Sequence, residues 1–238
     1  MISALEDGSS VWDVIIIGGG ATGLGAALEA ASRGHRTLLL ESHDFAKGTS
    51  SRSTKLIHGG VRYLRQGQIG MVRQSLLERQ RLFRNAPHLV HPLEFILPTY
   101  RFGKREFFYA GLRLYDMLAG QFWSERARCL TSRSVARDLP GVRQEGLRGG
   151  VRYMDGQFDD SRLAITLART AAQHGAIVLN YMKVDRLLCD NGRVRGVIAR
   201  DEYYDREYRL AGRSVINATG VFAEHMLGQE QQCIAASE

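Results

Sequence analysis

A glycine-rich turn near the amino terminus constrains the fold more than any other stretch of this chain. An apolar run at residues 14–17 leads into Gly18, Gly20 and Gly23, and a second apolar run follows at residues 37–40. The stretch between them is rich in small residues and has the pattern of a helix. Strand, tight turn, helix and parallel strand together make a βαβ unit.

The G-x-G-x-x-G spacing of these glycines predicts a dinucleotide site rather than a purely structural turn. The first glycine permits the sharp turn, the second lets a pyrophosphate approach the backbone, and the third lets helix and strand pack closely. The helix that begins at Ala21 and Thr22 directs free N–H groups and its positive dipole end toward the diphosphate. Glu41 ends the second strand 23 residues after Gly18. A carboxylate there accepts hydrogen bonds from a ribose diol, which favours FAD or NAD over NADP.

The composition is that of an ordinary globular protein. At 238 residues, the chain is long enough for one large domain or two small ones. Its 32 Lys and Arg against 25 Asp and Glu give a net charge of +7, which suits an anionic cofactor and substrate. No clustered basic stripe or nucleic-acid motif accompanies this charge, so we expect no nucleic-acid partner.

The cysteines and the lengths of the apolar runs indicate the cellular compartment in which we expect the protein. Cys129, Cys189 and Cys233 are an odd number at irregular spacing, which favours reduced thiols in a cytoplasmic setting over a disulfide framework or a metal site. Residues 1–11 lack a long apolar core, so we expect a short flexible leader and no secretory signal. No run reaches the ~20 apolar residues of a membrane-spanning helix. A peripheral contact with the cytoplasmic face of the inner membrane remains open.

A polar stretch at residues 42–60 follows the strand that ends in the ribose acid. It is rich in hydroxyl side chains and glycine, and it includes Thr49, Ser50, Lys55 and His58. In most proteins a stretch of this composition is an exposed loop. Its position directly after the second strand favours the alternative, in which its hydroxyls and backbone amides line the diphosphate and then a reactive ring.

The middle of the chain predicts further helices and strands. Apolar periodicity indicates a helix at residues 68–85, and residues 93–100 have the pattern of a strand interrupted by Pro98. Residues 107–122 predict an aromatic-rich helix. Its apolar residues fit either core packing, which is favoured, or an anionic membrane surface.

An aspartate pair marks the start of a later helix. Asp159 and Asp160 precede an apolar-periodic stretch, and capping of this helix is favoured over a pair of catalytic carboxylates. The remaining predicted elements are a short helix at Ser132–Asp138 and strands at residues 151–155, 176–184, 194–200, 206–210 and 214–220.

Several segments resemble the FAD-dependent glycerol-3-phosphate dehydrogenase family. They are residues 13–23, Glu41, residues 49–64, residues 86–89, residues 115–116, residues 159–160 and residues 217–220. The segment at residues 49–64 is the most specific of them. The resemblance implies a doubly wound, Rossmann-like FAD/NAD(P)-binding α/β domain with inserted antiparallel strands. It also implies an enzyme that oxidises sn-glycerol 3-phosphate to dihydroxyacetone phosphate and passes the electrons to quinone or another acceptor.

The resemblance further implies which residues contact the cofactor. On the ADP half of FAD it places Gly18, Gly20, Gly23 and Glu41, with Val184 as a backbone contact near adenine. Along the diphosphate and the flavin it places Thr49, Ser50, Lys55, Leu56 and His58. Beneath the cofactor it places the returning strand and turn, with Ala218 and Gly220.

Two residues are candidates for chemistry on the substrate. Arg62 matches an arginine of the family's substrate pocket, and a guanidinium can bind a phosphate through two parallel hydrogen bonds. A surface ion pair is the alternative for Arg62. His58 changes charge near neutrality and can accept a substrate hydroxyl proton. It can equally donate a hydrogen bond to the flavin or pack in a core.

The chain departs from the family pattern in two respects. Val221 and Phe222 stand where many members have Pro-Trp, and the chain is much shorter than the family's proteins. We therefore expect a truncated chain with a leader at residues 1–11, an FAD-binding domain at residues 12–228 that includes the start of a substrate subdomain near residues 90–155, and a polar tail at residues 229–238. A different FAD-dependent amino-acid or 2-hydroxy-acid oxidoreductase and an inactive FAD-binding fragment are the alternative functions.

Overall fold

The computed structural model describes Leu5, residues 11–60, Tyr63, residues 66–119 and residues 126–235. The chain divides into two compact units. The first unit comprises Met1–Ser53 and Asp160–Glu238, and the second unit is Thr54–Asp159. The second unit extends beyond the substrate subdomain predicted near residues 90–155.

The helices are α1 (Ala21–Ser32), α2 (Ile69–Asn85), α3 (Lys104–Ala119), α4 (Ser132–Asp138), α5 (Asp160–Gln173) and α6 (Ala223–Ala235). The strands are β1 (Trp12–Ile17), β2 (Thr37–Leu40), β3 (Leu56–Ile57), β4 (Val90–Thr99), β5 (Arg128–Leu130), β6 (Gly149–Phe158), β7 (Ile177–Leu179), β8 (Met182–Asp190), β9 (Arg193–Asp201) and β10 (Arg206–Asn217). Short 3-10 helices lie at Thr49–Ser51 and Gly220–Phe222.

The first unit contains a mixed sheet with the strand order β7-β2-β1-β10-β9-β8. β1 pairs in parallel with both β2 and β10, and β2 pairs in parallel with β7. β1 and β2 are largely buried and read as continuous apolar runs, as strands covered on both faces do. The predicted α/β fold with inserted antiparallel strands is confirmed.

β10 joins the parallel strands of this sheet to its antiparallel strands. Its residues 206–211 pair antiparallel with β9, and its residues 212–217 pair in parallel with β1. At the change lies Gly212, where an added Cβ would stand 2.8 Å from Ile15 Cδ1. A side chain at this position would therefore displace the side chain of Ile15.

The two faces of the parallel strands are covered differently. On one face, small residues of α1 and α5, among them Ala27, Ala164 and Ala168, form a cluster with Ile16 and Leu39. On the other face, a cluster joins residues of β1, β2 and β7 to residues of β8, β9 and β10 and to Met226 of α6. The antiparallel strands thus fold back over the parallel strands, while helices cover the opposite face.

The second unit is built on the long strand β6. β4 pairs antiparallel along its whole length, and β3 and β5 pair with separate parts of it. α2 and α3 pack together through Val72, Leu76, Tyr115 and Ala119. α3 also contributes Leu112 to a cluster with Val151 of β6 and Ala127.

The structure corrects the predicted strands. The expected strand at residues 176–184 is wrong, because β7 and β8 are separate and stand at opposite ends of the strand order. Between them Tyr181 has a φ of 55°, a conformation that a strand does not adopt. The interruption expected at Pro98 is also wrong, since β4 continues through it. β4 pairs with β6 alone, and an edge strand tolerates a residue without an N–H.

The expected polar tail does not begin where a helix ends. The predicted boundary between domain and polar tail, at residue 228, falls inside α6.

The cysteine spacing predicts reduced thiols, but Cys189 is disulfide-bonded. Cys129 is free and exposed. Irregular spacing in the sequence was a poor guide here because the fold decides which cysteines meet.

Two glycines of α1 provide a matched test of how this helix packs. A Cβ on Gly23 would lie 1.9 Å from the carbonyl oxygen of Gly18, whereas a Cβ on Gly25 meets no atom within 4 Å. We expect Gly23→Ala to lower the free energy of unfolding by about 1–3 kcal/mol, because backbone must shift to relieve the overlap. Gly25→Ala should raise it by about 0.5–1 kcal/mol through the lower entropy cost of alanine in a helix. Urea denaturation followed by circular dichroism measures both, and equal effects would contradict the packing of α1 described here.

Candidate dinucleotide-binding site

The glycine turn after β1 lies against the turn after β10. Gly18 has a φ of +110°, and its N–H donates a 2.8 Å hydrogen bond to the carbonyl of Leu40. A Cβ on Gly18 would stand 2.5 Å from the backbone oxygen of Ala218. Both the positive φ and this close approach require glycine. The carboxyl ends of β1, β2 and β10 therefore meet at one place.

The amino terminus of α1 opens at that place. Gly20 is the N-cap residue, has an extended backbone and makes no side-chain cap. The N–H of Ala21 donates to Ser50 Oγ at 2.9 Å. The first turn of α1 thus has one partner from the hydroxyl-rich stretch, and its dipole favours an anion in front of it.

The hydroxyl-rich stretch is fixed at its far end by α5. Asp160, which is 4% exposed, accepts a 2.6 Å hydrogen bond from Ser53 Oγ through Oδ2. Its other oxygen accepts from the N–H of Ser161 at 2.8 Å. Asp160 thus joins the hydroxyl-rich stretch to the first turn of α5.

The carboxylate of Glu41 is held by backbone amides at the end of β2. Oε2 accepts from the N–H of Gly19 at 2.6 Å, and Oε1 accepts from the N–H of His43 at 2.8 Å. Oε1 also accepts from Ser42 Oγ at 3.3 Å, whereas Oε2 can accept a further hydrogen bond. Glu41 is therefore oriented beside the glycine turn with acceptor capacity left for a diol.

A cavity of about 1190 Å³ in the first unit brings most of the predicted cofactor residues together. The predicted residues that line it are Gly18, Gly20, Ala21, Thr22, Glu41, Thr49, Ser50, Val184, Ala218 and Gly220. Gly23 is not part of the lining. It lies behind the turn, against Gly18, where it allows the close helix–strand packing expected of the third glycine.

The lining also contains residues that the sequence analysis did not single out. Lys47 and Arg52 add positive charge from the hydroxyl-rich stretch, and their position within that stretch was the available signal. Tyr181, Lys183 and Glu202 also line the cavity. The N–H of Glu202 bonds to the carbonyl of Tyr181 at 2.9 Å, a tertiary contact for which the sequence carries no local signal.

The remaining predicted site residues belong to the second unit. Lys55 has a φ of 61°, and its carbonyl accepts from the N–H of Phe158 at 3.0 Å. Leu56 lies in β3, and the side chain of His58 is 60% exposed. Arg62 lies outside the described residues.

A buried polar cluster in the second unit was not predicted. Arg79 Nη1 donates to Asp155 Oδ1 at 2.5 Å and to the hydroxyl of Tyr115 at 3.2 Å. The arginine and aspartate side chains are 0% and 3% exposed. Burial raises the pKa of Tyr115 well above its usual value, so its hydroxyl stays protonated.

A signal for this cluster exists in the sequence. Arg79 occupies a position on the apolar face of α2 that Val72 and Leu76 define, spaced four and three residues apart. Asp155 lies on the same face of β6 as Val151 and Tyr153. A charge at a core position requires a partner, so opposite charges at two core positions indicate a buried pair.

Neither a metal-binding cluster nor a membrane-spanning helix occurs in the part of the chain that the structure describes. Within Leu5, residues 11–60, Tyr63, residues 66–119 and residues 126–235, no group of three or more His, Cys, Asp and Glu could hold a metal ion. Over the same part of the chain, the helices are too short or too polar to cross a membrane.

The curated relatives match this chain over most of its length, but the chain spans less than half of theirs. Residues 13–235 match the family model described as FAD dependent oxidoreductase. The chain is 42% identical over 217 residues to an aerobic glycerol-3-phosphate dehydrogenase from Bacillus subtilis, with 90% of this chain and 39% of that protein covered. It is 40% identical over 241 residues to a mitochondrial glycerol-3-phosphate dehydrogenase from Homo sapiens, with 96% and 33% covered.

Solved structures also match most of this chain. A glycerol-3-phosphate dehydrogenase from Bacillus halodurans, complexed with FAD, superposes with a TM-score of 0.73 at 33% identity and covers 95% of this chain and 38% of its own. An L-proline dehydrogenase from P. horikoshii superposes with a TM-score of 0.72 at 18% identity, covering 93% and 56%. The second likeness shows a shared fold alone.

Proposed function

We propose, from the premise that this chain belongs to the FAD-dependent oxidoreductase family, that it binds FAD in the cavity of the first unit and supplies the cofactor-binding part of an enzyme that oxidises sn-glycerol 3-phosphate. The observation that carries the proposal is the single cavity lined by the glycine turn, Glu41 and Ser50. The names of the relatives at 40–44% identity favour glycerol 3-phosphate over an amino acid or a 2-hydroxy acid.

The residues present fit a dinucleotide. The backbone at Gly20 carries no side chain, and the nearest atom to a Cβ placed there is Ser50 Oγ at 3.2 Å. A diphosphate can therefore reach the amino terminus of α1. Lys47 and Arg52 in the lining provide countercharge for it. Glu41 provides an acceptor for a ribose diol on the same wall of the cavity.

The expected reaction removes a hydride and a proton from the substrate. FAD, when bound, supplies the oxidising power by accepting the hydride from C2 of the alcohol. The proton of the C2 hydroxyl needs an acceptor, and His58 is our candidate because its side chain is exposed and imidazole titrates near neutrality. The same exposure argues against a packing role for His58 within this chain. A hydrogen bond from His58 to the flavin remains the alternative.

The substrate phosphate needs a cationic partner. Arg62 follows His58 closely in the sequence, and its guanidinium can form two parallel hydrogen bonds to a phosphate. We assign phosphate binding to Arg62 on this chemistry and on the resemblance of residues 49–64 to the glycerol-3-phosphate dehydrogenase family. Quinone is the electron acceptor that we propose.

A peripheral membrane contact would bring the enzyme to a quinone dissolved in lipid. α3 buries Leu112 and Tyr115, as core packing predicts. Its other side leaves Phe107 61% exposed and Met117 75% exposed, with the cation of Lys104 beside the ring of Phe107. We propose that this side of α3 contacts an anionic cytoplasmic membrane surface. Equal co-sedimentation with anionic and neutral lipid vesicles would contradict the contact.

Replacement of Gly20 tests the cofactor site. We expect Gly20→Val to abolish FAD retention, because its branched side chain occupies the approach of the diphosphate to α1. The FAD-to-protein ratio of the purified chain, taken from its visible absorbance, measures this. Gly25→Ala is the matched control in the same helix and should retain FAD. A Gly20→Val protein with unchanged FAD content would show that the cofactor binds elsewhere.

Anaerobic addition of substrate to the FAD-loaded chain tests the reaction. sn-Glycerol 3-phosphate should bleach the flavin, whereas glycine and 2-hydroxyglutarate should not. We expect Arg62→Lys to slow bleaching by glycerol 3-phosphate about 10- to 100-fold, since losing one charge-assisted hydrogen bond costs about 1.5–3 kcal/mol. It should affect bleaching by unphosphorylated glycerol much less. A flavin that no substrate bleaches would identify an inactive FAD-binding fragment.

A further inference from the structure

Both oxygens of the Asp155 carboxylate accept hydrogen bonds, and one of them also faces a histidine. Oδ1 accepts hydrogen bonds from Arg79 Nη1 at 2.5 Å and from the N–H of Gly156 at 3.2 Å. Oδ2 accepts a 3.5 Å hydrogen bond from the hydroxyl of Tyr115 and also lies 3.9 Å from Nδ1 of His58. Since Arg79 is a donor only, it fixes which oxygen remains for His58.

The same cluster also determines where the backbone beside His58 runs. Gly59 is so close to Tyr115 that a Cβ there would stand 2.0 Å from the phenolic oxygen and 2.4 Å from Leu76 Cδ2. The backbone directly after His58 is therefore pressed against the cluster. Asp155 therefore lies beside the side chain of His58, and Tyr115 contacts the main chain directly after it.

We propose that Asp155 is a positioning residue for His58. Its carboxylate accepts a hydrogen bond from the Nδ1–H of the neutral imidazole, so Nε2 is left as the basic atom of the ring. The inference rests on the proposed function for its chemical purpose: oxidation of an alcohol needs an acceptor for the hydroxyl proton, and Nε2 can serve only if Nδ1 carries the ring proton. Arg79 and Tyr115 in turn orient the carboxylate of Asp155.

The distance is compatible with this role. A gap of 3.9 Å exceeds a hydrogen bond by about 1 Å, and the exposed side chain of His58 can close it by rotating. Hydrogen bonds in catalytic sites are commonly long without substrate and tighten in the complex. The partner is preorganised, because Asp155 is fixed by the buried Arg79, so only the histidine has to move.

The tautomer of His58 tests the proposal without FAD or substrate. Long-range proton–nitrogen correlation spectra of the isotope-labelled chain, recorded above the histidine titration, show which ring nitrogen carries the proton, and His58→Gln assigns the signal. We expect the Nδ1–H tautomer. An exposed histidine in the Nε2–H tautomer would overturn the proposal, even if FAD binds and the flavin is bleached.

Asp155→Asn should reverse the tautomer. Arg79 can only donate, so it selects the amide oxygen of the new side chain and leaves the NH₂ group facing Nδ1 of His58. That group donates, so Nδ1 must accept and the proton moves to Nε2. Asp138→Asn is the matched control, since Asp138 also pairs with an arginine, Arg152, and should leave the His58 tautomer unchanged.

The result remains decisive if a variant does not fold. Should Asp155→Asn unfold the chain, the tautomer of the unmodified chain decides the matter by itself. A folded Asp155→Asn variant with an unchanged Nδ1–H tautomer would overturn the proposal and leave the cluster a purely structural role. A chain that retains FAD, is not bleached and shows the Nδ1–H tautomer would contradict the proposed activity of this chain but not the positioning of His58.

Discussion

The close approach of two backbone turns is the constraint on which the first unit depends. The backbone at Gly18 lies so close to the carbonyl of Ala218 that it has no room for a side chain. The same holds at Gly23, which lies against the carbonyl of Gly18. These two contacts bring the carboxyl ends of β1 and β10 together and seat α1 on them. In open α/β sheets ligands bind in a crevice outside the carboxyl ends of the strands. The cavity and the exposed start of α1 follow from the same packing.

The elements that local sequence determines were predictable, and those set by distant contacts were not. β1, α1 and β2 follow from apolar periodicity and glycine spacing within one short stretch. The break at Tyr181 did not, because a non-glycine residue with positive φ is uncommon and is held here by the fold. Its N–H donates to the carbonyl of His43, and its carbonyl accepts from Glu202. The same reason explains why Glu202 was missed in the cavity, whereas Glu41, at the end of a strand, was not.

The buried pair of Arg79 and Asp155 carries little weight as a source of stability. Desolvation of two charges offsets much of their attraction, and apolar replacements of such pairs are often neutral or stabilising. A role beside His58 explains why charges occupy these core positions better than stability does. Each charge alone resembles a solvated residue in the sequence. Only the register of α2 and β6, considered together, indicates that the two are paired.

The path of the chain divides the first unit into two parts of the sequence. The chain leaves the first unit after Ser53 and returns to it at Asp160, and these two residues hydrogen-bond to each other at 2.6 Å. The second unit is thus an insertion in the sequence of the first, between two residues of the first unit that contact each other. His58 comes five residues after Ser53 in the sequence. Ser53 also ends the stretch whose Ser50 accepts a hydrogen bond from the N–H of Ala21, so this stretch joins α5 to the start of α1 within the first unit.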